Sequence, residues 1–126
     1  MARREGVAVT LAEALEAGRA LYRAGEPFEA HEVWEDAWRP LPRGPERTLL
    51  QGLIQLAAAA HKLRSGERVR GAPRLLRKAA AKLRRASGAL GVDGAALGAE
   101  CEALAERLEE RLARGEAIAG AEPPEV

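Results

Sequence analysis

The sequence predicts an all-α bundle of about five helices, and three observations carry that expectation. Apolar residues recur at spacings of three and four along most of the chain. Helix-starting and helix-stopping residues separate the periodic stretches. No stretch alternates apolar and polar residues as a half-buried strand would.

Each helix follows from local signals. Thr10 and Glu13 fit a capping box, in which each side chain satisfies the other residue's backbone amide. Leu11, Leu15, Gly18 and Tyr22 then share a face until Gly25 stops the helix, giving about 10–24. Pro27 suits the first turn of a second helix, where its missing amide costs nothing, and Pro40 and Pro42 end that helix near Arg39. The stiff connector Pro40–Pro45 suits two antiparallel neighbours. The third helix, about 45–65, is apolar around most of its circumference, interrupted by Gln51, Gln55 and Lys62, and so is expected at the centre. The fourth, about 72–87, opens near Pro73. A loop is expected at Gly88–Gly91, and Asp93 is placed to cap a fifth helix carrying Leu97, Cys101, Leu104, Leu108 and Leu112 and ending at Gly115. The second and third helices are expected to form the central antiparallel pair, within one domain spanning 1–126 whose tail, 116–126, frays.

Composition narrows the class of protein. With 126 residues, 47% hydrophobic and 31% charged, the chain reads as a folded domain rather than a disordered one. No apolar run approaches the ~18 residues of a membrane span. The opening Met1-Ala2-Arg3-Arg4-Glu5 and the acids after it lack the apolar core of a signal peptide, so a cytoplasmic protein is expected. One cysteine, Cys101, fits a reducing compartment and is expected as a small core residue, since Glu100 and Glu102 beside it disfavour a thiolate. Asparagine is absent and arginine outnumbers lysine. Heat adaptation is one source of that bias and GC-rich coding another.

Chemistry concentrates on the second helix, Phe28-Glu29-Ala30-His31-Glu32-Val33-Trp34-Glu35-Asp36-Ala37-Trp38. Ala30, Val33, Trp34, Ala37 and Trp38 form its apolar face, and His31 and Glu35 run along the edge. His31, Glu32 and Glu35 are therefore the candidate polar site, facing Gln51 and Gln55 on the third helix. That arrangement suits a buried network that fixes helix register. His31 and Glu35, four residues apart, are also the pair that could reach one divalent metal, although the run is H-E-x-x-E rather than the H-E-x-x-H of zincins. His61 lies about 9 Å further along the third helix than Gln55, nearer the start of the second helix, and is expected as a hydrogen-bonded core histidine.

The run F-E-A-H-E-V-W-E-D-A-W, with L-L-Q-G-L-I-Q-L-A-A-A-A-H-K-L after it, resembles the domain-of-unknown-function 309 family over about 26–86. Phe28, His31, Glu32, Glu35 and Trp38 match its first motif, and Gln51, Gly52 and Gln55 its second. The resemblance implies a small all-helical fold and carries over no catalytic role. The first and fifth helices are expected outside it.

The fourth helix is basic: Arg74, Arg77, Lys78, Lys82 and Arg85 line one exposed stripe, and Glu67 is the sole acid between Lys62 and Arg85. Such a stripe can hold phosphates or nucleic acid. The formal net charge of only +1, the lack of aromatic residues for base stacking, and the acidic fifth helix favour internal pairing instead. The leading reading is a cytoplasmic binding or interaction module using the His31/Glu32/Glu35 site, with self-association open to it. The second is a metal-assisted hydrolase or other enzyme using His31 and Glu35. The third is phosphate or nucleic-acid binding by the fourth helix.

Overall fold

A computed structural model describes residues 10–126. Its five helices are α1 (Leu11–Arg23), α2 (Pro27–Trp38), α3 (Pro45–Ser65), α4 (Ala72–Arg85) and α5 (Gly94–Ala113), and no strand occurs among the described residues. The fold is an all-α helical bundle. Consecutive helices pack against one another, so α3 lies between α2 and α4, and α5 covers the far side of α4.

The local signals act as their chemistry requires. The Glu13 amide donates to Thr10 Oγ1 at 3.1 Å, and the Thr10 amide donates back to a Glu13 carboxylate oxygen at 2.9 Å. Asp93 accepts from the Ala96 amide at 3.0 Å and caps α5. Pro27, Pro45 and Pro73 each sit in a first turn. The connectors departed from expectation in one respect. Val69–Gly71 and Ala89–Gly91 are single 3₁₀ turns rather than plain loop, and Leu90 within the second takes a left-handed φ of 54°.

Alanine, leucine and glycine let the helices approach closely. Leu49, Leu50, Leu53, Leu56 and Leu63 of α3 are all fully buried, which explains its central place. A Cβ on Gly52 would come within 2.9 Å of the Leu83 side chain, so α3 and α4 meet where only glycine fits. Antiparallel packing of α4 on α5 is visible in two ion pairs, Arg77–Glu109 at 2.6 Å and Arg84–Glu102 at 2.8 Å.

The segment 116–126 is packed, correcting the expectation that it frays. Ile118 is 1% exposed, and the Gly120 amide donates to the Leu63 carbonyl at 2.7 Å. The Tyr22 hydroxyl donates to the Pro124 carbonyl at 2.7 Å, while the Arg23 guanidinium donates to the Val126 oxygen at 2.8 Å. A buried apolar side chain with satisfied backbone groups turns the segment into a strap across the ends of α1 and α3.

Candidate functional site

Two faces of α2 meet different neighbours. On one, Ala30 and Trp34 are fully buried. The Trp34 indole N–H donates to the Leu15 carbonyl at 3.3 Å, and its ring lies 6.3 Å from that of Tyr22. On the other, Phe28, His31, Glu35 and Trp38 run at spacings of three, four and three along the seam with α3.

Two contacts fix the register of that seam. Near the start of α2, Phe28 lies 5.4 Å from the His61 ring. Near its end, the Arg47 guanidinium sits 4.0 Å above the Trp38 ring and donates to the Trp38 and Leu41 carbonyls at 3.0 and 2.8 Å. Arg47 thereby offsets the negative end of α2 and pins the connector. An antiparallel pair held at those two points sets position 31 level with about 54–58, so Gln55 lies at the height of His31 and Gln51 nearer that of Glu35.

The histidines bracket Phe28. The His31 ring stacks on it at 6.3 Å with 6° between planes, and the His61 ring meets it at 48°. His61 is thus only partly buried beside an aromatic ring. The core role expected for it fails because the first turn of α2 presents Phe28 there. Phe28 itself is 49% exposed, the one large apolar side chain exposed among the described residues. A groove of about 510 Å³ runs past it between Glu26, Glu29, His61, Arg64 and Ser65. Gly25, Pro27 and Arg64 also line a cleft of about 560 Å³ beneath the strap.

The seam leaves polar atoms without partners. His31 Nδ1, Gln55 Oε1 and Trp38 Nε1 are sealed from solvent and make no hydrogen bond. Each is a group whose burial is costly when unpaired. The satisfied network expected between His31, Glu35 and the glutamines does not form. Glu35 instead turns to Arg39 at 3.1 Å, and Arg39 also holds Asp36 at 3.1 Å. Glu32 points into solvent, and Gln51 is partly buried. For the metal pair, His31 and Glu35, the consequence is direct: the carboxylate already has a cation. No three His, Cys, Asp or Glu side chains converge to hold an ion among the described residues.

The basic stripe is divided. Arg77 and Glu109 make two hydrogen bonds, at 2.6 and 2.9 Å, which raise the Arg77 pKa and hold the Glu109 carboxyl below the usual carboxylate range. Arg74, Lys78 and Arg85 are exposed, and Lys82 is half-buried. Burial, then the nearby charges of Arg85 and Lys78, lower the Lys82 pKa. Cys101 is a core residue whose thiol is pushed up to about 12 by burial, with Glu100 adding to the shift.

Phe28, His61 and Arg47 were not singled out from the sequence as site residues. Phe28 stands three before His31, a spacing at which side chains on a helix meet. Arg47 carries no local signal, because its partners come from the facing helix, whereas helical rise already sets His61 near the start of α2, where Phe28 stands.

The model of a family described as Domain of unknown function (DUF309) matches residues 15–75. The matched span begins inside α1 and ends inside α4, so it takes in most of the helix expected outside it and stops short of the expected limit at 86. No curated protein and no solved structure matches the chain.

Proposed function

We propose, for a chain whose residues 15–75 match the model of the DUF309 family, that it is an interaction module whose binding site is the Phe28 end of the α2/α3 seam. The observation that carries this is Phe28, held half out of the protein between His31 and His61. An isolated exposed apolar residue needs no explanation. This one is an aromatic ring in a chain with four aromatic residues, fixed by two ring contacts beside a groove. Rigid aromatic anchors that lose little entropy on docking are the side chains that dominate interfaces.

The charges around the ring favour one kind of partner. Glu26, Glu29 and Arg64 line the groove, and Glu32 stands exposed one turn further on. The three carboxylates outnumber the one guanidinium, and on the α2 side their field favours a cationic surface over an acidic one. The site therefore suits a basic protein segment with an apolar recess for Phe28. Catalysis by His31 and Glu35 gains no comparable support, since Arg39 rather than His31 engages Glu35.

A synthetic amphipathic Lys/Leu peptide tests the reading by titration into isotope-labelled protein. Shifts clustered at Phe28, His31 and His61 are expected, and Phe28→Ser is expected to weaken binding by about tenfold or more while leaving the circular dichroism unchanged. Equal binding of a Glu/Leu peptide, or of the Lys/Leu peptide to the variant, would overturn it.

A further inference from the structure

We infer that the cationic partner is a second copy of this chain, whose groove between α4 and α5 receives Phe28. The inference rests on the reading of the Phe28 site above and identifies its partner.

The groove has the complementary character. It is an open depression of about 560 Å³ whose lining combines Pro73, Ala81 and Leu112 with Arg70, Arg74 and Lys78. The α2 site is an apolar knob flanked by Glu26, Glu29 and Glu32, with Arg64 as the one cation in its groove; this is an apolar recess flanked mainly by bases. Within one chain α4 already accepts glutamates from α5, through Arg77–Glu109 and Arg84–Glu102. Arg74 and Lys78 of α4 are exposed, and on α2 so are Glu29 and Glu32.

Charge also selects the geometry. Two copies meeting knob to knob would bring their acidic rims together, which disfavours a two-fold contact through Phe28. Knob to groove joins unlike surfaces, either reciprocally about a two-fold axis that pairs each Phe28 with the other copy's groove, or head-to-tail into rings or chains. A polyanion is the competing occupant of the groove. It is disfavoured by the net charge of +1, which gives no long-range attraction.

Sedimentation velocity on the whole chain tests this at low and high salt. Concentration-dependent association is expected at ~50 mM salt and about tenfold weaker association at ~500 mM, as screened surface charges require. Phe28→Ser should abolish it. So should the acidic-side pair Glu29→Lys with Glu32→Lys, and the basic-side pair Arg74→Glu with Lys78→Glu, each with circular dichroism confirming the fold. Mixing the two charge-reversed proteins should restore association, because a basic knob then meets an acidic groove. A chain that stays monomeric at every salt, or reversed proteins that fail to associate when mixed, would overturn the inference. Binding of inorganic polyphosphate through Arg74 and Lys78 by such a monomer would assign the groove to polyanions instead. If the Lys/Leu peptide still shifts Phe28 in a monomeric protein, only the second-copy partner is lost; if the peptide leaves Phe28 unmoved, the reading beneath it falls as well.

Discussion

The two tryptophans of α2 stand four residues apart and meet opposite conditions. Trp34 is fully buried, its indole N–H is bonded to Leu15, and Gly18 of α1 leaves room for its ring. Trp38 is half-buried, its indole N–H has no partner, and Arg47 covers one face. One side of the helix is finished by the protein's own groups, and the other is left incomplete. Selection for stability alone gives no reason to keep unpaired polar atoms and an exposed aromatic on one edge. Stability should therefore be concentrated on the Trp34 side and binding on the Phe28 side.

Trp34→Ala probes that division most strongly. Removing a fully buried indole loses its transfer free energy and leaves a cavity, so a loss of about 3–5 kcal/mol is expected. Denaturant unfolding measures it. A loss below about 1 kcal/mol would mean that the sealed face is not where the stability lies.

Gly18→Ala attacks the same contact from α1. Alanine gains about 1 kcal/mol of helix propensity over glycine. Its Cβ, however, would overlap the Trp34 indole, which must shift along with the Leu15 hydrogen bond. Overpacking of this kind costs about 1–3 kcal/mol or more, so a net decrease in melting temperature is expected. An unchanged or raised melting temperature would show that the helices can separate without penalty.

Alkaline pH tests the sealed side in a different way. Burial raises the Cys101 thiol from 9.0 to about 12 and raises the Tyr22 phenol as well. Both groups are neutral when protonated, and unfolding releases them to ionise at their ordinary, lower values. Stability from Cys101 is therefore full below about pH 9 and lost as pH rises toward 12, by about 1.4 kcal/mol per pH unit at most. Urea midpoints should fall across that range. Cys101→Ala should flatten the decline, leaving the part due to Tyr22, which begins above about pH 10.

Most of the fold was legible because its determinants are local. The capping box at Thr10, the cap at Asp93 and the first-turn prolines act within four residues of themselves, and the helices begin where those residues stand. The strap was not legible, because what holds Gly120 lies on α3, and the groups holding Pro124 and Val126 lie on α1. At the candidate site, periodicity placed Trp34 and Trp38 together on one apolar face. It could not show that α1 covers one while Arg47 caps the other. His31 is placed at the edge of the core as its spacing implies, but Arg39, only four residues beyond Glu35, outcompetes the imidazole for that carboxylate. The basic helix was read more fully, since acidic residues on the fifth helix already suggested the pairing that Glu102 and Glu109 make.

The smallest expected effect bears most directly on the comparison. Phe28→Ser removes a ring that is already half in water, so only about half of its apolar area returns to solvent on unfolding. Full burial of such a ring is worth about 1.5–3 kcal/mol. The ring contacts with His31 and His61 go with it, while serine at the second position of α2 suits the helix start. Stability should fall by about 1 kcal/mol. Paired with the larger loss expected for Trp34→Ala, this separates two aromatic residues of one helix several-fold. A loss of about 2 kcal/mol or more on Phe28→Ser would place that ring in the folding core, and its exposure would then need no partner to explain it.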